Sequence, residues 1–182
     1  YIHRGIKDDM RRETELFFNN IVEENRPVTE LMTADYTFMN QDLAEHYGIP
    51  GVTGEDFRRI QHSDEDRYGL LGHGSILTQT SFARRTSPVN RGKFVMEVLL
   101  GTAPPPPPPN VPDLDVTKAV DGESGRALTV KERMEMHRVN PTCNACHQFI
   151  DPLGLPLETF GPTGEKRIRE RTWATVPAPI DS

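Results

Sequence analysis

Asn140-Pro141-Thr142-Cys143-Asn144-Ala145-Cys146-His147 holds both cysteines of the chain, and they stand in one C-x-x-C-H pentapeptide. This is the attachment signature of a c-type haem. Two thiols three positions apart on a helical turn can each add to a vinyl group of the porphyrin. The next residue, His147, then lies under the iron and supplies an imidazole nitrogen. No third cysteine is left for a second disulfide or a cysteine-rich zinc site. Three other uses of the pair stay open on the residues alone. A redox dithiol normally stands beside a βαβ pattern, and none is visible. Half of a zinc site would need two more ligands, such as His137 and one other. A disulfide within the pair would suit a secreted fragment. The residues that follow favour haem: Phe149, Ile150, Leu153, Leu155, Leu157 and Phe160 form a dense apolar run able to wall a porphyrin.

Outward from this stretch, composition sets limits. The chain has 182 residues, room for one or two small domains. Apolar residues make up 35%, below the usual globular share, and 16 residues are proline, which points to long irregular connections around a modest core. The formal net charge of −6, more negative still with two haem propionates, argues against a nucleic-acid partner. Arg167, Arg169 and Arg171 form a basic cluster able to steer an acidic partner. No run of 18 apolar residues exists, so no transmembrane helix is expected. The chain starts at Tyr1 and ends in Pro177-Ala178-Pro179-Ile180-Asp181-Ser182, as a piece of a longer protein would.

The pattern before the pentapeptide is mainly helical with extensive coil. Ile6, Met10, Phe17 and Ile21 form one stripe of a helix over 4–24, with Lys7, Asp8, Arg12, Glu15 and Glu23 opposite. Pro27 marks its stop or opens a short helix to Met32. Asp35 to Phe38 read as a turn into a helix over 40–47 that Gly48 ends. Tyr36, Phe38, Leu43 and Tyr47 read as core. Residues 48–56 are a loop, 57–61 a short strand, 63–67 a charged turn and 72–80 a short buried helix. Glycines 69, 72 and 74 allow close backbone approach but match no phosphate loop. Ser87-Pro88 caps a helix running to Leu100, with Gly101 as its stop. Pro104 to Pro109 must be polyproline II, a stiff strut. Residues 113–127 form a loop. Thr129 and Glu132 make a capping box for a helix from Val130 to Arg138, and Asn140-Pro141 caps the helix that carries the pentapeptide.

The order of segments is distinctive as a set: Tyr36 to Ile49, Gly69-Leu70-Leu71, Thr86 to Glu97, the proline run, and His137-Arg138 through Pro141, Cys143, Cys146 and His147 to Asp151-Pro152-Leu153-Gly154. It resembles the planctomycete-type cytochrome c family of large, modular, exported bacterial proteins, whose C-terminal modules are the domains of unknown function 1592, 1588 and 1585. Residues 1 to about 50 resemble the end of the first module and 66–165 nearly all of the second. The resemblance implies haem c and an extracytoplasmic location, periplasm or cell surface, but no substrate. The expected organisation is the helical end of an upstream module at 1–50, a helical module with the polyproline strut at 51–112, and a haem c-binding segment with a C-terminal linker at 113–182.

Cys143 and Cys146 are thus the expected haem-binding residues and His147 the proximal iron ligand. The sixth ligand is open among His137, Met134, Met136 and His73, or the site is vacant. His137 leads because its position matches the family motif, although it stands only six positions before Cys143. His3, His46 and His62 read as surface or structural. Asp151 is placed to receive the second nitrogen of His147, or else to form a turn. The expected function is one-electron transfer to redox partners or other subunits of a larger assembly. Two rival expectations are a haem enzyme of peroxidase or oxidase type with an open sixth site, and a structural subunit stapled by its haem.

Overall fold

Helix α1, Arg4–Glu23, buries the stripe expected of it: Met10, Phe17 and Ile21 are enclosed and Ile6 packs against their neighbours. The computed structural model describes residues 4–83, 85–107, 109 and 128–167. A short helix α2, Glu30–Thr33, follows Pro27. The chain then departs from the sequence reading. Tyr36–Met39 is not a turn but strand β1, paired antiparallel with β2, Arg58–Gln61, in the register Tyr36 to Gln61 and Met39 to Arg58. A four-residue strand exists only through its partner. Here the partner lies across helix α3, Gln41–Tyr47, and a long loop, so nothing local announces it. Arg59 stacks 3.7 Å above the Tyr36 ring and covers the outer face of the hairpin.

Helix α3 starts one residue later than expected and ends before Gly48 as expected. The Asn40 side chain accepts from Leu43 N, and Gly48 closes the helix at φ 72°, where a side chain would be strained. After two single-turn 3₁₀ segments, Glu65–Arg67 and Leu70–Gly72, comes the short helix α4, Gly74–Gln79. These elements, residues 4–83 with Phe160–Lys166, form one compact unit. Its core has two apolar clusters, one around Met10, Met39, Leu43, Ala44, Tyr47 and Val52, the other around Phe17, Ile21, Ala34 and Tyr36.

The second unit comprises residues 85–159 with Arg167. Helix α5, Pro88–Phe94, is capped by Ser87 and continues as one π-helical turn, Val95–Leu99. Helices α6, Val130–Arg138, and α7, Pro141–Gly154, carry the pentapeptide region. Helix α7 lies against α5 through two glycines. A Cβ on Gly92 would fall on the Ile150 carbonyl, and one on Gly154 on the Pro88 carbonyl. Past α7, a 3₁₀ segment, Leu155–Thr159, is tied back to α5 by Arg91. That guanidinium is 1% exposed and donates to Glu158 Oε1 at 2.9 Å; Glu158 Oε2 takes Thr86 Oγ1 at 2.6 Å and Arg167 Nη2 at 3.0 Å. Arg167 is therefore spoken for within this unit rather than free to steer a partner, and Arg169 and Arg171 lie outside the described residues. These compact units are a different partition from the module boundaries at 50 and 112. Residues 104–107 carry no regular element; Pro108, with the 113–127 loop and the C-terminal linker, lies outside the described residues.

Candidate haem-binding site

The site is built on two helices joined at Val139-Asn140. Both start on strong local signals. Thr129 and Glu132 form the complete capping box of α6: Glu132 N donates to Thr129 Oγ1 at 3.1 Å, and Thr129 N to Glu132 Oε2 at 2.8 Å. Asn140 Oδ1 accepts from Thr142 N at 3.0 Å, and Pro141 takes the first position of α7, where its missing N–H is no loss. Cys143, Cys146 and His147 then lie on the first two turns of α7, all half-buried, with both thiols free.

His147 is oriented by a buried acid. Its Nδ1 lies 2.9 Å from Asp151 Oδ1, one turn along α7, and Asp151 is wholly enclosed. With the carboxylate accepting, Nδ1 carries the hydrogen and Nε2 offers the lone pair. The second carboxylate oxygen of Asp151 has no hydrogen-bond partner among the described residues; Arg138 Nε stands 3.6 Å away.

The four candidates for the sixth position are sorted by their surroundings. The His137 ring stands edge-on against His147, with centroids 5.2 Å apart and planes at 66°. Burial, and next the neighbouring His147, hold the His137 imidazole below its ordinary range, which favours the neutral, ligating form. Met136 is exposed and Met134 is 1% exposed inside the unit. His73 belongs to the first unit. Thr14 Oγ1 stands 3.1 Å from its Nδ1 and Thr37 Oγ1 3.3 Å from its Nε2, Phe17 packs edge-on at 4.8 Å, and burial pushes it down to about 3. Both its nitrogens thus have a threonine hydroxyl within hydrogen-bond distance. Phe160 also departs from the expected porphyrin wall: it is buried in the first unit, 4.6 Å beneath the Arg67 guanidinium. Ile150 is spent against Gly92 of α5.

The donor set fits haem c. Two free thiols at helical spacing and an imidazole nitrogen beside them are groups that haem c uses, and a second imidazole across from it is one of the axial partners that haem iron accepts. Met136, Val139 and Phe149, apolar yet exposed on the same pair of helices, suit contact with an apolar body. Among the described residues no three His, Cys, Asp or Glu side chains converge to hold a bare metal ion, which leaves the zinc alternative without a ligand set there.

Two family models match the chain. The model described as PSCyt3, a protein of unknown function (DUF1588), matches residues 67–170, more than half of the chain, and the one described as PSD4, a protein of unknown function (DUF1592), matches residues 1–49. The chain belongs to the planctomycete-type cytochrome c family. No curated protein and no solved structure matches it. The gap between the two matches, residues 50–66, includes strand β2 and lies inside the first compact unit, so that unit draws on both modules. No described helix is long and apolar enough to cross a membrane.

Some of what shapes the site was not read from the sequence. Gly92 and Gly154, which bring α5 against α7, look like ordinary helix glycines until the partner is known. Arg91 looks like one more surface charge. Glu13 carried a signal that was passed over: positions 10, 13, 17 and 21 fall on one helical face, so an acid at 13 had to be buried.

Proposed function

We propose that this chain is a c-type cytochrome segment that carries one haem and passes single electrons outside the cytoplasm, as part of a larger protein or complex. One observation carries the reading: the only two cysteines lie on one turn of α7, followed at once by His147, with His137 against it. Cys143 and Cys146 would hold the haem through thioether bonds, and His147 Nε2 would ligate the iron. Haem iron supplies a reversible one-electron couple, whose potential a protein sets by axial ligand, burial and hydrogen bonds. This chain contributes the Asp151 carboxylate, which holds the His147 ring in one tautomer and orientation. His137, neutral and within reach of His147, is the proposed sixth ligand. Two imidazole ligands would leave the coordination shell the same in both oxidation states, which suits electron transfer over substrate chemistry.

The His147–Asp151 pair also favours a second reading, a haem enzyme. A buried carboxylate on the proximal imidazole raises its basicity, and an open sixth position would then bind small ligands. Two measurements decide. The denatured protein in alkaline pyridine should give the spectrum of haem c, and acid acetone should extract no haem; extraction sinks the proposal. The ferric protein should be low-spin and slow to bind cyanide, and His137→Ala should turn it high-spin with fast cyanide binding. A native protein that is already high-spin and binds CO at once would favour the enzyme reading.

A further inference from the structure

The first compact unit contains a cavity of about 320 Å³ unconnected with the α6–α7 donor set. One wall is the end of α3 and the turn after it, Tyr47 to Pro50. Facing it are His62 and Asp64, just past β2, with Arg67 deep in the cavity and Lys166 at its exposed side. The volume is in the range of small-molecule sites.

Two features of its lining need a partner. The His62 side chain is enclosed, 6% exposed, and its Nε2 has no hydrogen-bond partner among the described residues. The backbone of the same residue is held by Asp35 O at 2.7 Å, which fixes the main chain from which the ring projects. The Arg67 guanidinium is 3% exposed and has no carboxylate within ion-pair distance among the described residues. Its Nη1 and Nη2 donate to Gly72 O at 3.0 Å and Gly164 O at 2.9 Å, and the rings of Tyr47 and Phe160 flank it at 4.2 and 4.6 Å. Carbonyls and ring faces offset part of the loss of water around a buried cation; the carboxylates of Glu13, Asp64 and Glu165 act on Arg67 at longer range, but none stands within ion-pair distance of it among the described residues.

The charges are unevenly placed. At the exposed side Lys166 Nζ is held by Asp64 at 2.6 Å and Asp66 at 2.9 Å, so that side is already neutralised. The deep side holds Arg67, with Glu13 acting on it only at longer range, and the unpartnered Nε2 of His62. The N–H groups of Gly48 and Ile49 are used within the end of α3, on Glu45 O and Ala44 O, so this wall offers no backbone donors. One anionic group therefore fits at the deep end, and the ring of Tyr47 with Ile49 and Pro50 offers an apolar wall to the rest of a ligand. A dianion such as phosphate would exceed the charge available and leave that wall unused.

We propose that this cavity is a binding site for a small organic monocarboxylate, whose carboxylate takes the His62 Nε2 hydrogen and the field of Arg67 while its apolar body lies along Tyr47, Ile49 and Pro50. The site stands independently of the haem reading. Its test uses the purified chain, labelled with ¹⁵N, and benzoate as probe, with benzamide and inorganic phosphate as controls. Benzoate should move the His62 ring nitrogen resonances saturably, with Kd on the order of 1 mM, and leave the optical spectrum of any iron unchanged. Benzamide, of the same shape without the charge, should bind at least about tenfold more weakly, a difference of roughly 1.4 kcal/mol. His62→Phe, which fills the cavity and removes the donor, should abolish the shift of neighbouring amides. No saturable shift, equal binding of benzamide, phosphate binding as tight as benzoate, or binding seen only at the iron would each overturn the proposal. If the Phe variant fails to fold by circular dichroism, the benzoate–benzamide comparison on the unchanged chain decides alone.

Discussion

Glu13→Gln offers a direct measurement of what it costs this fold to bury an acid. Glu13 sits on the core face of α1, 1% exposed, where its two oxygens accept from Thr37 Oγ1 at 2.8 Å and Tyr47 Oη at 2.6 Å. Burial raises its pKa from 4.5 to about 7, against the opposing effect of those hydrogen bonds and of Arg67. A raised carboxyl pKa means that the folded state binds the proton more tightly than the unfolded one. The corresponding stability is fully present below pH 4.5 and is lost as pH rises through 7. The shift of roughly 2.5 units amounts to about 3 kcal/mol, as an order of magnitude, at 1.36 kcal/mol per unit. The histidines of the same unit act oppositely: burial lowers His62 to about 4 and His73 to about 3, so their contribution is present above pH 6.5 and falls away on acidification. The wild-type curve mixes these terms, but the difference between wild type and Glu13→Gln isolates the first, because Gln copies the protonated acid in size and charge. At pH 5 the variant should match wild type or fall short by about 1 kcal/mol, the worth of one imperfect hydrogen bond. By pH 8.5 it should be the more stable by about 2 kcal/mol. All four tyrosines precede residue 85, so urea unfolding followed by tyrosine circular dichroism reports the first unit. A difference between the two proteins that stays constant from pH 5 to pH 8.5 would refute the reasoning.

Two further substitutions probe the second unit. Gly92→Ala improves helix propensity by about 1 kcal/mol, yet its Cβ would fall on the Ile150 carbonyl, so we expect a net loss of about 3 kcal/mol or more in urea unfolding of this unit; a gain would mean that α5 and α7 are farther apart than described. Asp151→Asn keeps the hydrogen-bond geometry at His147 but removes the charge that favours the oxidised iron. On the haem reading, a tenfold to hundredfold change for such a partner corresponds to a midpoint potential higher by about 60–120 mV in a one-electron titration, and an unchanged potential would free Asp151 of that role.

Much of the local structure was legible because its causes are local. The caps at Ser87, Thr129 and Asn140 and the stop at Gly48 each act within one helical turn, and each lies where the residues indicated. Strand β1 was misread as a turn because its partner, β2, supplies its hydrogen bonds from beyond α3. Phe160 was assigned to the haem wall on nearness in sequence to His147, whereas the chain carries it back to the first unit to cover Arg67. His73, the most remote of the sixth-ligand candidates in sequence, proved to have both ring nitrogens engaged by threonines from α1 and β1.

What the sequence alone determined is the chemistry that adjacency enforces, two thiols and an imidazole at fixed spacing on one helix with the helix ends that hold it, and, through the order of its segments, the family it resembles. Helical geometry links residues three and four apart whatever the rest of the chain does. The tertiary structure alone decided which side chains meet across distance. It set His137 against His147, enclosed Asp151, let α5 approach α7 at Gly92 and Gly154, and buried Glu13, His62 and Arg67 together in one unit. Such meetings depend on packing between segments far apart in the chain, and no local pattern encodes their distance.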